Sequence, residues 1–309
     1  MNIIRSTLTA AVVTLALFSL ASAQTAEQVY DDAVKDYNAK NYEKALVGFS
    51  KAAEMKANFA EAHYFAGQCY YGLKRYQEAV LAFREAIADK ADYFEAYVYL
   101  GNTLDYMDRY EEAVAEYQRA IRLKPEDGWV RYELGVAQKQ KGHCDLALES
   151  FKLAVKYRPD YANAYANMGV CYQTLKNEEE AETNFLIAYR LDQDNETASM
   201  RLGNIYYNRK LYELSLPYYE NMARLRPDYA TAFFYLGDNY RQLKRYEDSI
   251  RTYEKANALK DDIPGVHLGL GLSYLALGNK SKAMAQYEAL KALDASLADQ
   301  LLQRIQGSN

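Results

Sequence analysis

A strict internal period limits this chain more than any other feature: its residue pattern returns every 34 positions from near the start to near the end. From Ala45, small residues recur at Ala79, Ala113, Ala147, Ala181, Ser215, Ser249 and Ala283, each step being 34 residues with no insertion or deletion. Four residues beyond each stands an aromatic: Phe49, Phe83, Tyr117, Phe151, Phe185, Tyr219, Tyr253 and Tyr287. Aromatics make up 14% of the chain, so eight such coincidences have a chance probability on the order of 10⁻⁷. A period of this length means stacked units, each too small to close a core alone.

The first half of each unit repeats as well. Ala33 and then Gly67, Gly101, Gly135, Gly169, Gly203, Gly237 and Gly271 lie 12 residues ahead of the small position. An apolar residue usually precedes the glycine (Leu100, Leu134, Met168, Leu202, Leu236, Leu270), and tyrosine often follows three later (Tyr70, Tyr172, Tyr206, Tyr240, Tyr274). That is one face of a helix. The small, aromatic and apolar residues of the second half, at i, i+4 and i+7, form another. Each unit therefore predicts two amphipathic helices of about 14 residues, some 20 Å long. The spacing places the glycine against the small residue of the partner helix, with the aromatic filling the wedge beyond. Asn58, Asp92, Asp160, Asp194, Asp228 and Asp262 stand where N-caps of the following helices are expected. Pro125, Pro159 and Pro227 precede that repeat position in their own units and stop the outgoing helices. Composition agrees: with 15 Gly, 5 Pro and 31 Tyr, the chain suits long helices that use tyrosine repeatedly in one role.

A 34-residue unit with Leu-Gly, Tyr, Ala, Phe or Tyr, Ala and Pro at these offsets resembles the tetratricopeptide repeat. The resemblance covers residues 26–297 as units 26–59, 60–93, 94–127, 128–161, 162–195, 196–229, 230–263 and 264–297. It implies an all-α, right-handed α-solenoid of eight helix-turn-helix repeats, a superhelix of about one turn whose first helices line a concave groove.

The ends read differently. Arg5 is the only charge before Glu27, an apolar run spans Leu8 to Leu20, and Ala21-Ser22-Ala23 has the small-x-small form of a cleavage site. Residues 1–23 are thus expected to be a signal peptide cleaved after Ala23, giving a secreted or periplasmic protein. An uncleaved N-terminal anchor is the competing reading, but the run is shorter than the roughly 20 residues a spanning helix needs. No Cys follows the site for a lipoprotein anchor, and no later stretch could span a membrane. At the other end, residues 298–309 are expected to supply a capping helix and tail, with Leu297, Leu301, Leu302 and Ile305 as its apolar stripe. Ser296 is expected to cap it, with Asp299 completing a capping box. Two departures stand out: Pro217 predicts a local irregularity, and Pro264, Gly265, Gly269 and Gly271 predict a loose first helix in the last unit.

The chain shows little of the chemistry of an enzyme. His63, His143 and His267 lie in separate repeats, and no His-x3-His, Cys-x2-Cys or Glu-x2-His spacing occurs, so no metal or other cofactor is expected. No phosphate loop or nucleophile elbow appears. Cys69, Cys144 and Cys171 read as packed thiols; only Cys144 and Cys171 are close enough in the repeat order to be considered as a pair. The formal net charge is −5, and loss of residues 1–23 makes it one unit more negative. With no Lys/Arg cluster against that background, nucleic acid is not an expected partner.

The resemblance implies that repeat positions 2, 5, 9, 12 and 13 face the groove. Here these yield Tyr30, Tyr37, Tyr64, Gln68, Tyr71, Asn102, Asp105, Tyr106, Trp129, Tyr132, Lys139, Asn204, Tyr207, Phe234, Asp238 and Arg241 as candidate ligand-binding residues. Tyrosine and tryptophan offer large contact area with a polar tip, and asparagine can hold an extended backbone; some of the tyrosines could instead only pack between helices. Chaperone-binding relatives use Lys at position 5, where this chain has Tyr30, Tyr64, Val98, Tyr132, Ala166, Met200, Phe234 and Leu268, so that carboxylate clamp is absent. The expectation is a non-enzymatic scaffold or adaptor that binds a protein or peptide segment. A glycan-binding module using the same aromatics, and a purely structural envelope component, are the alternatives.

Overall fold

A computed structural model describes residues 24–307, and the expected signal segment lies outside the described residues. Every regular element among the described residues is an α-helix, 17 in all, and none is long and apolar enough to cross a membrane. The chain divides into two compact units between Tyr157 and Arg158.

In the first unit, α1 (Ala26–Asn38), α3 (Ala60–Gly72), α5 (Phe94–Tyr106) and α7 (Gly128–Gln140) are first helices of 13 residues. They alternate with 14-residue second helices α2 (Tyr42–Met55), α4 (Tyr76–Asp89), α6 (Tyr110–Leu123) and α8 (Cys144–Tyr157). Each helix packs on the next, and the first helices α3, α5 and α7 also touch in succession. The second unit holds α9 (Ala162–Thr174), α10 (Glu178–Leu191), α11 (Glu196–Asn208), α12 (Tyr212–Leu225), α13 (Ala230–Gln242), α14 (Tyr246–Leu259), α15 (Pro264–Ala276), α16 (Lys280–Leu293) and α17 (Ala295–Gly307).

The turn inside each helix pair is built on one left-handed residue. Lys40, Lys74, Asp108, Lys176, Lys210 and Lys244 have φ between 57° and 62°, and Gly142 and Gly278 have φ of 83° and 75°. These eight are spaced by the same 34 residues. Amides at and just past this residue return to carbonyls of the last helical turn, as Lys40 N to Tyr37 O (2.8 Å) and Asn41 N to Asp36 O (2.9 Å) do. Six of the eight are not glycine, so each carries the steric cost of a Cβ in this region.

The core corrects the expected glycine contact. The repeat glycine faces the aromatic ring, not the small residue. A Cβ on Gly67 would lie 2.6 Å from the Phe83 ring, on Gly101 2.7 Å from Tyr117, and on Gly135 2.6 Å from Phe151. In the second unit Gly169 meets Phe185 and Gly237 meets Tyr253 in the same way. The ring lies over the first helix so closely that only hydrogen fits there, and these rings are almost wholly buried. Burying each is worth roughly 1.5–3 kcal/mol. The first repeat makes the exchange in reverse: it carries Ala33, and Gly48 on α2 supplies the space, since a Cβ on Gly48 would lie 2.6 Å from the Ala33 Cβ.

Capping also differs from expectation. Of the first helices that follow another helix, only α7 and α11 have side-chain caps, and these come from Asp127 (to Val130 N, 2.9 Å) and Asn195 (to Ala198 N, 2.9 Å). Asn58, Asp92, Asp160, Asp194, Asp228 and Asp262 each lie one residue too early. The cap position itself holds Phe59, Tyr93, Tyr161, Tyr229 or Ile263 in the other repeats. The trade is packing for capping: Phe59 sits 5.1 Å from Tyr30 and Tyr93 5.0 Å from Tyr64, ring centre to ring centre. A cation covers several of these rings, including Lys56 at 4.4 Å from Phe59 and Arg158 at 4.5 Å from Tyr161.

Three further expectations change. Helix α17 starts two residues earlier than a Ser296 cap would place it, and Asp294 caps it by accepting from Leu297 N at 3.0 Å. Its buried residues are Ala298, Leu301 and Ile305. Helix α12 runs unbroken through Pro217, whose exposed position lets the ring point away from the core. The glycines of α15 mark close contacts, not looseness. A Cβ on Gly265 would meet Phe234 at 2.7 Å, on Gly269 Tyr253 at 2.3 Å, and on Gly271 Leu301 at 2.4 Å.

Candidate functional site

The sixteen candidate residues divide into packing residues, an internal polar network and a pocket. Tyr30 and Tyr64 belong to the core of the first unit. Tyr30 packs on Phe49 (5.5 Å) and Phe59, and Tyr64, 7% exposed, packs on Phe83 (6.0 Å), Tyr93 and Tyr99. Gln68 donates to the Tyr64 hydroxyl at 2.6 Å. Tyr37 packs on Tyr42 and Phe65, and Tyr132 on Phe151 at 5.8 Å. Lys139 is half-buried on α7.

In the second unit Tyr207, Asp238 and Arg241 bond to one another. Asp238, 6% exposed, accepts from the Tyr253 hydroxyl at 2.9 Å, from Arg241 Nε at 2.8 Å and from the Tyr207 hydroxyl. Burial acts to raise its pKa, but Arg241 and the hydroxyls outweigh burial and hold the carboxylate below its usual range. Asn204 accepts from the Tyr219 hydroxyl. Phe234 lies 6.2 Å from Tyr253. Arg241 also borders a cleft of about 420 Å³ with Lys244, Tyr246, Leu272, Leu275 and Arg304.

The remaining candidates converge. Tyr71 on α3, Asn102, Asp105 and Tyr106 on α5, and Trp129 on α7 line one pocket of about 220 Å³. Tyr117 and Glu133 complete it. Tyr71, Tyr76 and Tyr106 form a ring cluster, with Tyr71 edge-on to Tyr106 at 6.0 Å and Tyr76 at 5.3 Å from Tyr106. Tyr106 is 66% exposed, so its face is available at the pocket mouth. The Tyr117 hydroxyl donates to Asn102 Oδ1 at 2.8 Å, which sets the orientation of that amide.

Two carboxyls sit in the pocket without a cation. Asp105 Oδ1 is buried with no hydrogen-bond partner. Burial, then the nearby Asp108, raises the Asp105 pKa. Burial, with the Asp105 carboxylate beside it, pushes Glu133 up to about 7. The pocket is therefore aromatic on its walls and short of positive charge at its base.

Tyr117 and Glu133 were not among the sequence candidates, yet Glu133 carries a readable signal. It occupies a repeat position that three other repeats fill with a ring, Phe65, Tyr99 and Tyr235, and the remaining ones with Asp31, Asn167, Arg201 and Gly269. Each of those rings packs on the buried aromatic of the preceding repeat: Phe65 on Phe49 at 5.5 Å, Tyr99 on Phe83 at 5.9 Å, and Tyr235 on Tyr219 at 5.3 Å. At Tyr117 that covering ring is replaced by a carboxyl, and the space the ring would fill lies open. The pocket is the place of a missing ring.

His63 and His267 bond within their own repeats, to Asp89 and Gln286, each at 2.9 Å. Cys69, Cys144 and Cys171 are all buried. Among the described residues no group of three or more His, Cys, Asp or Glu side chains could hold a metal ion.

Family models of the tetratricopeptide repeat match residues 60–90, 106–142, 132–196, 237–278 and 266–296, together more than half of the chain. Among solved structures, YrrB, described as a TPR protein with an unusual peptide-binding site, is 27% identical with a TM-score of 0.52; the match covers 55% of this chain and 88% of YrrB. A MamA fragment (residues 41 to the end) from Desulfovibrio magneticus RS-1 is 20% identical, with a TM-score of 0.53 over 57% of this chain and 99% of that one. Another MamA structure is 22% identical, with a TM-score of 0.51 over 52% of this chain and 94% of its own. The MamA likenesses speak for the fold alone. No curated protein matches the chain.

Proposed function

Because the chain belongs to the tetratricopeptide repeat family, we propose that it is a scaffold, not an enzyme, that holds an extended segment of a protein partner. The segment lies across the face formed by α3, α5 and α7. The observation that carries this reading is the pocket where Tyr71, Asn102, Asp105, Tyr106 and Trp129 meet from three successive first helices. Aromatic walls give contact area at low entropic cost, and polar groups among them fix orientation. The peptide-binding site of YrrB supports the same use of this architecture. The signal-like N-terminus supports a secreted or periplasmic location, tested by the intact mass of the protein from its native cells: the mature chain begins at Gln24, and a mass that includes residues 1–23 overturns the location.

Peptide and glycan arrays probed in parallel with the full-length protein test the binding role. Peptide binding that is lost in Tyr106→Ala and Trp129→Ala supports it. Binding to glycans alone, or peptide binding indifferent to both substitutions, overturns it.

A further inference from the structure

The pocket has a more specific chemistry than a general aromatic groove, and this inference rests on the segment-binding reading above. We propose that the pocket takes one cationic side chain of the partner segment, an arginine or a lysine, seated among Tyr71, Tyr106 and Trp129 and against Asp105 and Glu133.

Four observations lead there. The volume, about 220 Å³, is below the roughly 300–1,000 Å³ of sites for whole small molecules and suits one long side chain. The walls are aromatic, and an ammonium or guanidinium gains from aromatic faces when desolvated. The base holds a carboxylate oxygen, Asp105 Oδ1, that is buried and accepts no hydrogen bond from any described residue. A buried acceptor left unmade costs roughly 1–3 kcal/mol, which a charged donor arriving with the partner would relieve. Finally, Glu133 stands where the two preceding repeats place a ring, Phe65 or Tyr99, over the buried aromatic, and the pocket lies at that place. A planar guanidinium can occupy that space over Tyr117 and neutralise the carboxyl that displaced the ring.

A neutral ligand does not fit these facts as well. A sugar hydroxyl could donate to Asp105 and stack on Trp129, but it would bury two carboxyls further without supplying charge. Both groups already resist ionisation through burial and like-charge neighbours, and burial beneath a neutral ring makes that worse. A cation reverses the sign of the effect.

An array of random decamer peptides tests the proposal, probed with the full-length protein and with Asp105→Asn/Glu133→Gln. Peptides bound by the wild type are expected to be enriched in arginine or lysine, and the double variant is expected to weaken their binding tenfold or more. Binders without enrichment that the double variant retains would overturn the cation pocket while leaving segment binding intact. An array without binders would overturn both. Trp129 is the only tryptophan in the chain, so its fluorescence reports this pocket directly. Titration with a capped arginine peptide is expected to give a saturable change, and the same peptide with neutral citrulline at least tenfold weaker binding; equal affinities would overturn the proposal. The double variant's helical circular dichroism and melting temperature, expected to be unchanged or higher, show that loss of binding is not loss of fold.

Discussion

At the scale of single residues, the chain explains its own choice between phenylalanine and tyrosine at the buried ring. Where the ring is Tyr117, Tyr219 or Tyr253, the first helix of the same repeat carries Asn102, Asn204 or Asp238 fifteen residues earlier, and each accepts the phenol proton. Where the ring is Phe49, Phe151 or Phe185, the same position holds Val34, Val136 or Val170. Gln68, opposite Phe83, bonds to Tyr64 instead. Tyr287 faces Leu272, and it alone of the eight rings is only partly buried. The reason is the cost of a buried hydroxyl without an acceptor. Asn204→Val is therefore expected to cost on the order of 1–3 kcal/mol, and Tyr219→Phe less. The double substitution should lie closer to wild type than the sum, with a coupling of about 1 kcal/mol. Denaturant unfolding of the four proteins measures this, and strict additivity would refute the pairing.

At the scale of elements, helix ends are settled by whichever contact is stronger at the junction. Aromatic residues take the N-cap position of several first helices because a ring buried against the previous repeat outweighs one capping hydrogen bond. At the last junction no such ring is present. Asp294 closes α16 and caps α17 within a single residue. Replacing Asp294 by Ala is expected to destabilise the second unit by about 1 kcal/mol, whereas Ser296→Ala should change stability by only a few tenths. Thermal melts of both variants decide the matter, and the reverse ranking would restore Ser296 as the cap. Pro217 shows the same balance, since one lost backbone bond on an exposed helix face is tolerated where packing on the other face continues.

At the scale of the whole molecule, stability in a repeat array is close to a sum over neighbouring contacts, so a local penalty can be read in the unit that carries it. Glu133 belongs to the first unit and titrates near 7, against an ordinary value of 4.5. Its proton is held more tightly in the folded than in the unfolded state. The stabilisation this gives is fully present below about 4.5 and is lost as the pH rises through about 7. Glu133→Gln is expected to remove that slope and raise stability at pH 8 by roughly 3 kcal/mol, with little effect at pH 4. Melting curves followed by Trp129 fluorescence at several pH values test this; a variant that melts parallel to wild type at every pH would show that Glu133 is not the titrating group.

The residues alone determined the architecture: a 34-residue period and two helices per unit follow from spacing along one dimension, where each helix face repeats in register, whereas the contact of the glycine with the aromatic ring was decided by the packing. The family resemblance added five of the seven residues that line the pocket, because those five lie at its groove offsets, and left out Tyr117 and Glu133. Tertiary structure decided which of those offsets are free. Asn102, Asn204 and Asp238 occupy one repeat position and all accept from a buried tyrosine, yet only Asn102 also lines the pocket, and Tyr30 and Tyr64 are covered by rings that follow them in the next repeat. The capping aspartates shifted because a buried ring competes for their position. The pocket itself depends on Glu133, whose effect is visible only against Tyr117 on the neighbouring helix. Side-chain exposure at a repeat offset is a property of the contact across helices, and that contact partner changes from repeat to repeat while the spacing does not.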